Sequence, residues 1–374
     1  MPFLISNGII KKDGEFSKLM IWNPFKMISK NFLGIDIGTS SLKVIELSRF
    51  GQRTKLENYG ELKVPALYKQ PFRTAEKSTL LLSSSDIARA IRAILEEAKI
   101  KTKEVAFSIP DFSSLFTWFH LPSMSREEIA QAVRFEARQH IPLPLAEVTL
   151  DWQIIDDQIS NQQKTKFKIL LVAVPNEIIN QYQEIANLAQ LELQALEAEV
   201  FGLSRSSIKE EKKVVALVDI GARSTTVSII DKGILKISHS FDLSGNELTQ
   251  VISQSLNINY QEAEELKKKQ GLTSSEKNLR EILLPLIDLI LAEIKKTAQN
   301  FYQTETKEVE KIVLAGGSAL LPGLKEYFTE QLKKEIAIAS PFSEIFYPPI
   351  LEQTLREIGP SYAISVGMAL RGLE

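Results

Sequence analysis

Cysteine is absent from the chain. That removes disulfides, thiol catalysis and thiolate metal sites, and it fits a reducing compartment. Histidine occurs only at His120, His140 and His239, too scattered for a His-based metal site. Charge of one sign is also lacking. The net charge is −2, so nothing global attracts nucleic acid or an anionic membrane. No run approaches the ~20 apolar residues of a spanning helix. The longest clean run lies near Ile169–Val174, and the richer Leu283–Leu291 contains Pro285 and Asp288. The first residues do not read as a signal peptide. Lys11, Lys12, Asp13 and Lys18 interrupt their apolar positions, and no small-residue cleavage site follows. Residues 1–31 are expected to be a flexible extension.

What is present is ordinary globular material: 374 residues, 44% hydrophobic and 25% charged. This length suggests two to three domains and a sizeable core. Strand and helix patterns alternate, so the class is α/β. Ser85–Lys99 reads as a helix with Ile87, Ile91, Ile94 and Leu95 on one face. Val105–Ile109 and Leu115–Leu121 read as strands ended by Pro110 and Pro122. Ser125 and Glu128 form a capping box for a helix running to about His140. Ile129, Val133 and Ala137 fall on the core stripe of that helix, while Arg126, Arg134 and Arg138 project elsewhere. Trp118, Phe119, Phe135 and Trp152 are expected in the core, with one or two free to line a groove.

The chain repeats itself. Phe32–Leu47 reads FLGIDIGTSSLKVIEL and residues 215–230 read VALVDIGARSTTVSII. Asp36, Gly38, Ser41 and Val44 match Asp219, Gly221, Ser224 and Val227. One Asp-x-Gly turn is weak evidence, because Asp and Gly are common turn residues. Two copies opening two α/β halves are an internal duplication. The glycines let successive backbone N–H groups face a phosphate. Thr39, Ser40, Ser224, Thr225 and Thr226 add hydroxyl donors, and Lys43 can reach a phosphate from the second strand. Asp36 and Asp219 beside phosphates require a hard cation between them, and Mg²⁺ held through its waters fits. A third signal, KIVLAGGSALLPGL over Lys311–Leu324, brings a strand into Gly316-Gly317-Ser318, where the backbone can approach a nucleoside closely.

These three motifs, in this order, resemble the actin-like ATPase superfamily. Asp36–Lys43 resembles its first phosphate loop, Asp219–Thr226 its second and Leu314–Ser318 its adenosine motif. The resemblance implies ATP with Mg²⁺. It implies that Asp36 and Asp219 hold the metal through its waters and that Asp219 also serves catalysis. It further implies that Glu264 and Lys267 approach the ribose and that Glu199 orients an attacking water. The stretch FEARQHIPLPLAEVTLDW, with VDIGARSTT, LAGGSALLPGL and GPSYAISVGMALRG, is similar to the type IV pilus assembly protein PilM family, over Phe32 to Gly372.

That resemblance implies duplicated actin-like (ribonuclease H-like) halves with an FtsA-type inserted subdomain. The halves are expected over 32–208 and 209–374, the insertion over about 105–158, and a small helical subdomain over about 250–282. It implies a cytoplasmic scaffold, peripheral to the inner membrane, that docks the cytoplasmic N-terminal peptide of PilN, a single-span membrane protein, with Arg134 and Arg138 as candidate contacts, and that has other pilus inner-membrane platform proteins and further copies of itself as candidate partners. Arg223 stands where the superfamily keeps a glycine, which implies slow turnover. An FtsA-like protein and a metabolic kinase are the alternatives. The kinase would need a catalytic base, for which Asp151, Asp156 and Asp157 are candidates.

Overall fold

The computed structural model describes residues 30–63, 80, 82–158, 166–208, 212–273 and 277–374. The lead-in expected over 1–31 lies outside the described residues as far as position 29, and Lys30 and Asn31 already belong to the first strand.

The chain opens with β1 (Lys30–Ile37), β2 (Ser41–Phe50) and β3 (Arg53–Lys63), followed by α1 (Ser84–Glu97) and β4 (Glu104–Ile109). Next come β5 (Leu115–Pro122), α2 (Arg126–His140), β6 (Val148–Gln158) and β7 (Lys166–Pro175). α3 (Asn176–Leu188), β8 (Glu192–Ala198) and α4 (Glu199–Ser207) lead to a second meander, β9 (Val215–Ile220), β10 (Thr225–Asp231) and β11 (Ile234–Phe241). After it come α5 (Gly245–Leu256), α6 (Tyr260–Gln270), α7 (Lys277–Glu305), β12 (Lys311–Ala315), α8 (Leu324–Leu332), β13 (Glu335–Ile338), β14 (Ile345–Phe346) and α9 (Glu352–Leu373).

Two sheets carry the duplication. The first runs β14-β3-β2-β1-β4-β8 and the second β11-β10-β9-β12-β13. Apart from β14, both are an antiparallel meander extended by two parallel strands in the same order. The register repeats as well, with Asp36 opposite Lys43 and Asp219 opposite Thr226. β1 and β9 are central and buried, which explains their near-continuous apolar sequences. On α1, Ser83 caps the N-terminus and Ile87, Ile91, Ile94 and Leu95 are buried, as the helical spacing requires.

The third sheet, β5-β7-β6, is the insertion, and Ile129, Val133 and Ala137 of α2 share its core. β4 belongs to the first sheet, so the inserted sheet begins at Leu115 rather than Val105 and takes in β7. Ser125 and Glu128 form the expected capping box. Phe119 is buried and Trp118 and Trp152 are half-buried, but Phe135 is 64% exposed. Phe135 follows Val133 by two positions, which turns it away from the stripe that faces the sheet. The insertion also touches the second half: Trp118 Nε1 donates to Leu235 O at 3.2 Å, and Lys168 pairs with Glu305.

Although β14 and α9 follow the second half in sequence, both lie on the first sheet. Glycine permits the close packing of α9. A Cβ on Gly34 of β1 would sit 2.0 Å from Ser365 O, and one on Gly367 would sit 1.9 Å from Gly202 O of α4. Both contacts are to backbone and cannot be relieved by a rotamer change.

Candidate functional site

The β1–β2 and β9–β10 turns have the same build. A Cβ on Gly38 would approach Ser41 O to 3.0 Å, and one on Gly221 would approach Ser224 O to 2.9 Å. Each turn follows a strand ending in an acid. Asp36 is buried, accepts from Ser108 Oγ at 2.7 Å and lies 3.7 Å from Lys43 Nζ. Burial first, then the charge of Asp36, raises the Asp219 carboxyl to about 6, with Lys43 opposing. The two matching aspartates therefore lie close enough for the charge of one to act on the other.

Two further acids join them. Asp111 lies in the single turn after β4, and Glu199 is the first residue of α4. They brace each other through the backbone: Val200 N–H donates to Asp111 Oδ1 at 3.1 Å, and Asp111 N–H donates to Glu199 Oε2 at 3.3 Å. Burial, followed by the charges of Asp111, Asp36 and Asp219, pushes the Glu199 carboxyl well up. Burial also lifts Asp111, with Asp219 adding to the rise. The charges of these four carboxyls thus act on one another, and Lys43 pairs with Asp36 and lowers the Asp219 carboxyl. Such a cluster is electrostatically short of cations.

Among the described residues, no three His, Asp or Glu side chains are grouped so as to hold a metal ion directly. The mutually repelling Asp36 and Asp219 do fit a hydrated Mg²⁺, which places its own waters between itself and carboxylates.

The wall beside Asp219 is backbone. Gly316 has φ +85°, and a Cβ there would lie 2.4 Å from Asp219 Oδ1, so only glycine fits. Gly317 faces open space. Ser318 N–H donates to Ile220 O at 3.3 Å, which fastens this turn to the end of β9. Gly245, at the start of α5, is squeezed between Ser318 and Gly221, since a Cβ there would meet Ser318 Oγ at 2.4 Å. Buried Lys267 donates to Gly245 O at 2.8 Å and to Thr249 Oγ1 at 2.7 Å, and pairs with Glu264 at 2.7 Å. Burial works against the charged form of Glu264, yet Lys267, Thr249 and Lys268 together hold its carboxyl below the usual range.

The family described as type IV pilus assembly protein PilM matches residues 34–373. The chain belongs to the PilM family. Its structure is similar to a solved PilM–PilN type IV pilus biogenesis complex, with 26% identity, 91% of this chain and 98% of that chain covered, and a TM-score of 0.77. It also resembles the ethanolamine utilization protein EutJ of Carboxydothermus hydrogenoformans, at 17% identity and TM-score 0.56, covering 91% of this chain and 89% of that one. In sequence it is similar to the cell division protein FtsA of Bacillus subtilis, 24% identical over 352 residues, 83% of this chain and 78% of FtsA. The fold is therefore the actin-like one, as the duplicated motifs led us to expect.

In this PilM-family chain the structure brings Asp36, Gly38, Lys43, Glu199, Asp219, Gly221, Gly316 and Ser318 near one another. Thr39 is half-buried and Ser40 exposed in the first turn, and Ser224 is half-buried in the second. Thr225 points into the core of the second half, where its hydroxyl donates to Leu243 O, and Thr226 pairs with Ser240. Arg134 and Arg138 stand apart, exposed on α2. Asp151 lies on β6 and accepts from the N–H of Trp152, so it belongs to the insertion. The acid beside them that sequence reasoning passed over is Asp111, together with Ser108 and Gly245. The Pro110-Asp111 corner directly after a buried strand, and Ser244-Gly245 opening a helix with Glu247 as its capping partner, were the available signals.

Proposed function

We propose that the chain is an ATP- and Mg²⁺-binding scaffold of the pilus inner-membrane platform. It works at the cytoplasmic face and docks the cytoplasmic N-terminal peptide of a PilN-like single-span membrane protein. The observation that carries the nucleotide reading is the repeated strand–Asp–Gly turn with the same register in both halves, Asp36 paired with Lys43 and Asp219 beside the Gly316 backbone. In this reading Asp36 and Asp219 hold Mg²⁺ through its waters. Gly38, Thr39, Ser40, Lys43, Gly221 and Ser224 line the phosphates with backbone N–H groups, hydroxyls and one ammonium, while Thr225, whose hydroxyl is taken by Leu243 O, and Thr226, paired with Ser240, support the second turn from behind. Gly316, Gly317, Ser318, Glu264 and Lys267 hold the nucleoside. The metal supplies charge neutralisation between carboxylates and phosphates. Glu199 and Asp111, braced as a pair, position a water at the end of the phosphate chain.

The docking reading rests on family membership and on the similarity to a PilM–PilN complex. Among the described residues no helix is long and apolar enough to cross a membrane, so a membrane partner is a reasonable means of recruitment. In this reading the tail docks between the first sheet and the inserted sheet, and Arg134, Phe135 and Arg138, exposed on α2, are its candidate contacts. A short tail binds there by placing alternate apolar side chains in pockets and its charges near the arginines. Calorimetry with Mg²⁺ and ATP, and titration of a labelled PilN tail peptide, test the two halves of this reading separately. Asp36→Ala should abolish Mg²⁺-dependent nucleotide binding. Unchanged ATP affinity in that variant overturns the nucleotide site, and a wild-type chain that ignores the peptide overturns the docking.

A further inference from the structure

We propose that Arg223 is a ligand for the terminal phosphate of a nucleoside triphosphate, held on the ring of Phe112 until that phosphate arrives. The inference rests on the nucleotide reading above and identifies which phosphate the second loop discriminates. The duplication shows why a cation is needed there. Lys43 lies opposite Asp36 in the first half, but Thr226 takes the equivalent place opposite Asp219. The second loop instead carries its cation at the tip, where Arg223 occupies the position of Ser40 in the first loop.

Arg223 reaches the turn that carries Asp111, yet among the described residues it forms no ion pair and no hydrogen bond. Its guanidinium lies 5.2 Å from the centre of the Phe112 ring. Phe112 belongs to the other half of the molecule, directly after Asp111, and is 40% exposed. A cation on an exposed phenylalanine face is weakly held and exchangeable. A guanidinium on a phosphate makes paired charge-assisted hydrogen bonds and is held more strongly. The same turn contains the buried hydroxyls of Ser113 and Ser114, neither of which has a partner. Unused donors therefore lie on both sides of the contact.

The position selects the terminal phosphate. The nucleoside wall, Gly316, lies against Asp219 on the second half. Phe112 follows Asp111, which is bonded to Glu199, on the first half. A phosphate chain running from the Gly316 side towards Phe112 would bring its terminal phosphate to Arg223, and a diphosphate would stop short of it. Arg223 then leaves the ring for a triphosphate and stays on it with a diphosphate, so the contact between the halves reports which nucleotide is bound.

Calorimetry with Mg²⁺ compares ADP with a non-hydrolysable ATP analogue in wild type, Arg223→Gln and Phe112→Leu. Arg223→Gln is expected to weaken the triphosphate analogue by about tenfold or more while leaving ADP within about threefold. Phe112→Leu, which frees the guanidinium, is expected to tighten the analogue by about threefold and leave ADP unchanged. Equal losses for both nucleotides in Arg223→Gln, or no loss for either, overturn the assignment while the nucleotide site stands. A wild-type chain that binds neither nucleotide overturns both.

Discussion

Replacing Asp219 by asparagine should make the nucleotide-free protein more stable, although it removes a residue central to the site. Burial and the neighbouring charge of Asp36 lift the Asp219 carboxyl from 3.8 to about 6. At about 1.4 kcal/mol per pH unit, a shift of roughly two units is worth up to ~3 kcal/mol. Partial exposure of Asp219 lets solvent screen some of this, leaving ~1–3 kcal/mol. The direction follows from proton binding. Between pH ~4 and ~6 the folded chain keeps this proton while the unfolded chain has lost it, so stability falls as pH rises through that window and stays lower above it. Asparagine carries no such penalty. Asp219→Asn should therefore gain ~1–3 kcal/mol over wild type at pH 8 and about half of that at pH 5. Urea unfolding in EDTA at the two pH values measures the difference. A variant no more stable than wild type at pH 8, or a gain independent of pH, refutes the raised Asp219 carboxyl. With Mg²⁺ and ATP at about 1,000 times Kd the ranking should reverse, because only wild type gains the ~4.1 kcal/mol that such a ligand concentration provides.

Gly367→Ala should destabilise the chain by ~1–3 kcal/mol or more, since its Cβ would lie 1.9 Å from the Gly202 carbonyl and force α4 and α9 apart. The urea midpoint reads this, and an unchanged midpoint contradicts the packing. Arg134→Glu and Arg138→Glu should weaken binding of a PilN tail peptide without altering ATP affinity, as fluorescence anisotropy and calorimetry can show. Steady-state phosphate release without any partner should fall well below the ~1–100 s⁻¹ typical of kinases, and a rate inside that range refutes the slow-turnover reading.

The two Asp-x-Gly turns were legible in the sequence because each is local. Strand, acid, glycine and return strand lie within a dozen residues, and the second copy lifts the pattern above chance. Lys43 was legible for the same reason, being fixed by the register of one hairpin. Asp111 was not, because its place beside Glu199 depends on two distant segments, β4 and α4, meeting at the end of the first sheet. The Arg223–Phe112 contact crosses between the halves and has no local signature. Phe135 shows the opposite error: helical spacing already turned it outward, and its aromatic character outweighed the spacing. The insertion boundary was misplaced because β4 and β5 are similar apolar runs separated by a few residues, and only pairing distinguishes them.

The return of α9 to the first sheet governs the order in which the molecule can mature during synthesis. Phe32, Leu33 and Ile35 emerge early, but the helix that covers β1 is made after the second half. Roughly 150 residues separate the end of α4 from the start of α9. At ~5–20 residues per second this delay is on the order of ten to thirty seconds. For that time a young first half has sheet and flanking helices but an uncovered apolar face, the condition in which nascent chains aggregate or recruit a chaperone. Stalling translation just before residue 352 should trap that state, and release should let the two halves close together in one late step.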